Sequence, residues 1–167
     1  MYLVDTNVLS EPLARHPDPG VVKWLRGVED DCFVSAVSIE EMRYGASRMP
    51  DGRRKAAIGT AISSLVDSLG VRLIPFGARE ALACGRMRAA ARASGNNVCA
   101  QDIMIAATAS VAGLTVATRN EKDFEGLGVS LFNPFDEASR SREMHVGTAV
   151  ERGARKIADD GLGGLDI

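Results

Sequence analysis

Residues 103–118 read IMIAATASVAGLTVAT, sixteen positions without a charge. A membrane-spanning helix needs about 20 apolar residues, and this run is shorter and carries Thr, Ser and Gly. It reads instead as a buried helix that ends near Gly113 and hands over to a buried strand, LTVAT, at 114–118. A helix followed at once by a strand is part of a strand–helix–strand unit, and the chain repeats the alternation on either side. YLV (2–4), CFVS (32–35), VRLIPF (71–76) and VSLF (129–132) have the length and residue types of short buried strands. Between them, GVVKWLRGVE (20–29), VSIEEMRYGASR (37–48), residues 53–69, AREALACGRMRAAARA (78–93) and AQDIMIAATASVAG (100–113) place apolar residues at three- and four-residue spacing. The pattern predicts an α/β fold with a short, mainly parallel sheet of about five strands and helices on both faces. It runs through residues 1–136. Residues 137–167 have mixed charge and a Gly-rich finish, and read as a tail, weakly ordered or with one helix around Thr148 to Ala158.

Length and composition narrow the function classes. A chain of 167 residues is long enough to bury one sizeable core. With 46 % hydrophobic and 25 % charged residues, its composition is that of a soluble globular protein. The net charge of −2 argues against coating nucleic acid by overall positive charge, so a nucleic-acid role must rest on a site. The first ten residues lack the basic and apolar segments of a signal peptide, because Asp5 interrupts the apolar stretch; a cytoplasmic protein without a membrane anchor is expected. Cys32, Cys84 and Cys99 form no CxxC pair, which predicts three buried, reduced thiols and no zinc ribbon. His16 and His145 are the only histidines, too few for a His-rich metal centre.

Acidic residues stand at the ends of the predicted elements. Asp5 follows the first strand, Asp102 opens the helix DIMIAATASVAGL, Asp123 comes after the fourth strand, and Glu40 and Glu41 lie on the helix after the second. In parallel sheets such positions can converge beyond the carboxyl ends of the strands, where ligands bind. A carboxylate cluster there repels itself and calls for a cation, and hard oxygen ligands favour Mg²⁺ or Mn²⁺ over Zn²⁺. Taken singly, Asp5, Asp102 and Asp123 read equally well as helix caps or first-turn residues, and the glutamates as a solvated helix face. Spacing leaves both readings open.

VDTNVLSE at the start, SAVSIEEMRYGA near residue 40, QDIMIAATASVAGLTVATRNEKDFEGLGV and the closing NPF resemble the PIN-domain ribonucleases, and among them the VapC/FitB-type toxins of bacterial toxin–antitoxin pairs. The four blocks occur in the family's order across residues 1–136. The resemblance implies a three-layer α/β/α sandwich in which Asp5, Glu41 of EMRYG, Asp102 and Asp123 are the catalytic acids that hold Mg²⁺ or Mn²⁺. It makes Asn7 and Thr118 the polar residues that orient the acids. Consecutive helical residues point about 100° apart, so Glu40 and Glu41 cannot face one ion together. The resemblance also implies RNA as substrate, a homodimer, and a VapB/FitA-like antitoxin as partner.

Hydrolysis at such a site uses water and needs no 2′-hydroxyl nucleophile. Arg43, Arg48, Arg86 and Arg88, with Arg53, Arg54, Lys55 and Arg92, are candidates for holding the RNA backbone or are solvated helix faces. A haloacid-dehalogenase-like phosphatase would want an Asp two residues after Asp5, where this chain has Asn7. A nucleotide-binding Rossmann reading lacks both GxGxxG after a strand and a GxxxxGK[ST] loop. A catalytically inactive module that binds RNA or an antitoxin is the third alternative.

Overall fold

The first strand, β1 (Tyr2–Val4), is three residues long, apolar throughout and buried throughout. That composition suits the middle of a parallel sheet, where both faces are covered. The computed structural model describes residues 1–141 and places β1 there. Its sheet has the order β3-β2-β1-β4-β5 with every pairing parallel, formed with β2 (Cys32–Ser35), β3 (Leu73–Ile74), β4 (Thr115–Ala117) and β5 (Leu131–Phe132). Tyr2 lies opposite both Cys32 and Thr115, and Leu3 opposite both Phe33 and Val116.

The helices are α1 (Thr6–Leu9), α2 (Pro19–Gly27), α3 (Ala36–Ser47), α4 (Arg53–Leu69), α5 (Ala78–Ala93), α6 (Ala100–Ala112) and α7 (Glu121–Phe124). Several begin on local signals. Asp18 accepts from Gly20 N and Val21 N at the start of α2, with Pro19 in the first turn, where its missing N–H costs nothing. Ser35 accepts from Val37 N and caps α3 directly at the end of β2 (3.1 Å). The helix α6 ends at Gly113, whose left-handed φ of 67° turns the chain into β4.

Alternation along the strands divides the core between the two faces of the sheet. Leu3 and Val116 pack with Ile103, Ile105, Ala106 and Phe124 beneath α5, α6 and α7. Tyr2, Val4 and Ala117 pack on the other face with Val8, Val21 and Trp24 from α1 and α2. There the rings of Tyr2, Trp24 and Phe132 stand 5.1–5.3 Å apart, the spacing of favourable edge and tilted contacts. A further cluster joins α3 to α4 through Met42, Ala46 and Ile62. Burying each large side chain fully stabilises the fold by about 1.5–3 kcal/mol. These layers make the expected α/β/α sandwich.

The outer strands are shorter than their apolar runs. VRLIPF contributes only Leu73–Ile74, because residues 70–72 form a 3-10 turn with Val71 95 % exposed, and Pro75 has no N–H for the ladder. VSLF contributes only Leu131–Phe132. The thiols also differ from expectation. Cys32 is buried, and burial pushes its thiol up to about 11. Cys84 is half-buried on α5, and Cys99 is exposed before α6, its thiol donating to Gln101 Oε1 (2.9 Å). The elements named above belong to a unit of Met1–Phe135. The helix expected around Thr148 to Ala158 lies outside the described residues.

Candidate active site

With β1 between β2 and β4, the winding of the sheet reverses at β1, and the carboxyl ends of β1 and β4 border the position where ligands bind in such sheets. The residues that follow these two strands are Asp5 and Thr118. Both are buried, Asp5 being 5 % exposed. The Asp5 N–H continues the ladder to Ala117 O (3.0 Å), and its Oδ1 accepts from Thr6 N (2.7 Å), which caps α1. Asp5 is therefore a helix cap, as the plain reading has it, and its position at the sheet edge is unaffected by that role.

The other oxygen of Asp5 is equally constrained. Thr118 Oγ1 donates to Oδ2 (2.7 Å), and Asn7 Nδ2 donates to the same atom. Asn7 Nδ2 also reaches Thr118 Oγ1 (3.1 Å), while Asn7 Oδ1 accepts from Arg119 N (3.0 Å). The amide of Asn7 is thus fixed at both ends. Asn120 N donates to Thr118 Oγ1 (3.0 Å) and completes the network.

Glu41 lies on α3, half-buried, and accepts from Thr6 Oγ1 (2.5 Å), whereas Glu40 is exposed. Asp102 stands half-buried in the first turn of α6. Asp123 is exposed on α7. Asp102 is thereby brought within electrostatic reach of the other three acids, and Asp5 within reach of Glu41 and Asp123. Burial raises the pKa of Asp5 against the hydrogen bonds from Thr118, Thr6 and Asn7, and the Asp123 charge adds to the rise. Burial raises that of Glu41, opposed by the Thr6 hydrogen bond and reinforced by Asp5 and Glu40. Asp102 is pushed up to about 6 by burial first, then by Asp5, Asp123 and Glu41.

No Lys or Arg pairs with these four acids among the described residues. Nor do three Asp, Glu, His or Cys side chains among the described residues come together into a group that could grip an ion as they stand. Both oxygens of Asp5, and one of Glu41, accept from protein donors. The donor chemistry still fits a hard divalent cation, since the converging groups are all carboxylate oxygens with hydroxyl and amide neighbours.

The basic candidates lie elsewhere. Arg43, Arg48, Arg86 and Arg88 are all exposed. Arg43 borders a cleft between α3 and α4, and Arg48 lies over the Tyr44 ring at 5.6 Å. Arg88 and Arg92 border a small hollow of about 100 Å³ beside Ala100 and Ile103, residues that flank Asp102. The network also includes residues that sequence reasoning did not single out. Glu11, buried in a 3-10 turn, accepts from Asp18 N (2.7 Å) and pairs with Arg119 Nη2 (2.9 Å). The Arg119 guanidinium lies 3.8 Å from the centre of the Phe135 ring. A cavity of about 560 Å³ opens between Glu41, Arg119 and the α3–α4 pair. An acidic residue in LSEP and a basic one in TRN give no sign, alone, of meeting across more than a hundred positions.

Comparison with known proteins bears on the family and the fold. The family model described as PIN domain matches residues 2–129. Toxin FitB of Neisseria gonorrhoeae is 35 % identical over 139 residues, covering 82 % of this chain and all of that protein. VapC ribonuclease Y4jK of Sinorhizobium fredii is 32 % identical over 140 residues, with 83 % and 100 % covered. The crystal structure of FitAcB from Neisseria gonorrhoeae superposes with a TM-score of 0.75 at 36 % identity, covering 81 % of this chain and 99 % of that one.

Proposed function

The chain belongs to the PIN-domain family, and from that membership we propose that it is a Mg²⁺- or Mn²⁺-dependent endoribonuclease, the toxin of a toxin–antitoxin pair. The observation that carries the reading is the set of four carboxylates, Asp5, Glu41, Asp102 and Asp123, sharing one field with no cationic side chain paired to them among the described residues. Unit charges of like sign 4 Å apart repel by about 4 kcal/mol at an effective dielectric near 20, so a site of this kind is arranged for a cation.

Asp5, Glu41, Asp102 and Asp123 would hold the ion, whose chemistry is to acidify a bound water and neutralise charge on the phosphate. Asp5 enters this task already oriented, because Thr6, Thr118 and Asn7 leave its carboxylate no free rotation. Thr6 does the same for Glu41 and so couples α1 to α3. Asn7 cannot serve as an acid or base, since a carboxamide does not titrate, and its amide is held at both ends, which disfavours the dehalogenase-like phosphatase. Water as the nucleophile, with the P–O3′ bond breaking and the 3′-oxygen leaving, gives products with 5′-phosphate and 3′-hydroxyl ends and no cyclic phosphate. The likeness to FitAcB and to FitAB bound to a DNA fragment supports a partner antitoxin of the VapB/FitA kind; a toxin that acts in the cytoplasm as a homodimer is part of the same proposal.

Cleavage of single-stranded RNA with Mn²⁺ or Mg²⁺, and its loss in EDTA, is the expected result. Asp5→Asn, Glu41→Gln and Asp102→Asn should each lower kcat/KM by more than the roughly 10–100-fold that loss of an outer supporting partner costs, while Thr118→Val falls within that range. Glu40→Gln should retain most activity. Near-normal cleavage by the three acid variants would overturn the assignment of the site to these acids, whereas no cleavage by the wild type with either metal would leave the inactive binding module as the better reading.

A further inference from the structure

The cavity of about 560 Å³ beside Glu41 plays no part in the chemistry described above, yet its volume falls within the range of about 300–1,000 Å³ typical of ligand sites. Its floor is apolar, built from Met42, Ala46, Met49 and Ile62. Its rim on the side of the acids is polar, with Thr6, Ser10, Asn120 and Arg119. Thr6 and Glu41 belong to both the cavity and the acid site, so a ligand in the one continues directly into the other.

Arg119 narrows the choice of ligand. Glu11 holds one edge of its guanidinium and the Phe135 ring lies 3.8 Å away, so the group is fixed although the side chain is 50 % exposed. A fixed guanidinium plane is a stacking surface for a nucleobase, and its charge suits the phosphate attached to one. An apolar peptide side chain could fill the floor, but it would offer Arg119 neither a π-face nor an anion. We propose that this groove is a nucleobase subsite, which receives one unstacked base of a single-stranded RNA next to the phosphate at the acid cluster. Two methionines in its lining, unbranched and adaptable, make it a site that selects a splayed-out base by stacking and shape. The proposal rests on the ribonuclease reading.

Gly45 supplies the means of testing it. This glycine lies within α3, is exposed, lines the groove, and a Cβ built on it meets nothing within 4 Å. Gly45→Leu therefore fills space in the groove without displacing a neighbour at its point of attachment. The experiment measures KM for short RNAs in which a single abasic nucleotide is stepped past the cleavage site. For the wild type, one abasic position beside the cut should raise KM about tenfold, the scale of one lost stacking contact. Gly45→Leu should show that rise already on intact RNA, with less than about twofold more on the abasic strand. Wild-type indifference to every abasic position overturns the subsite, and this arm depends on no variant being folded. Wild-type KM for Gly45→Leu on intact RNA overturns it as well; lost binding of an antitoxin peptide by that variant would then assign the groove to a protein partner. Absence of any RNA cleavage by the wild type, with either metal, fails the ribonuclease reading before the groove is tested.

Discussion

Asp5 meets two opposed demands. Three donors, one of them the Thr6 N–H that Asp5 caps, favour its ionised form, and burial with a neighbouring carboxylate opposes it, the latter prevailing. Asp102 has no such donors among the hydrogen bonds described and rises to about 6. Its ordinary value is 3.8, so between about pH 4 and 6 the folded protein binds more protons than the unfolded chain, and raising the pH removes stability. The contribution of Asp102 is fully present below about 4 and lost as pH rises through about 6. Asp5 and Glu41, shifted in the same direction, act in the same sense. Asp102→Asn does not ionise, so in EDTA its melting temperature should gain on the wild type between pH 4 and pH 7. A gap that stays constant with pH would mean that Asp102 ionises as freely folded as unfolded. Asp5, Asp102 and Asp123 were legible in the sequence because each lies just after a strand or in the first turn of a helix, positions that topology alone collects, whereas Glu41, midway along α3, was told from Glu40 only by the resemblance of EMRYG. Glu11, Thr6 and Arg119 were not legible, because their importance arises from partners 35 to 108 positions away.

Helices were more legible than strands. AREALACGRMRAAARA is α5 from end to end, and residues 53–69 are α4, because helical periodicity and Ala-rich composition are local properties. The lengths of β3 and β5 depend on neighbours present on one side only, which residues 71–76 and 129–132 do not reveal. Two helix glycines make a contrast that local physics decides. Gly113 ends α6 at φ 67° with open space where a Cβ would stand, so Gly113→Ala should destabilise by about 1–2 kcal/mol through backbone strain alone. Gly85 lies inside α5, exposed and also with open space, and Gly85→Ala should stabilise by roughly 0.5–1 kcal/mol. Urea unfolding of both variants checks the opposite signs; equal shifts would mean that φ does not control the first.

For the molecule as a whole, the unit of Met1–Phe135 contains the sheet, the core clusters and all four acids, and the family match ends within it. A chain ending at Asp136 should therefore melt within a few degrees of the full-length protein and cleave RNA at a similar rate. A tenfold change in activity would mean that residues 137–167 take part in the reaction. The central place of β1 carries a different implication, one of timing. Tyr2 pairs with Thr115, so β1, once it has left the ribosome, waits for a neighbour made more than a hundred residues later. At roughly 5–20 residues per second, that interval is on the order of ten seconds. Until it has passed, Asp5 lacks Thr118, and Asp123 does not yet exist. No nascent fragment short of Asp123 carries the full acid set, so the proposed nuclease stays inert while residues 1–122 are made.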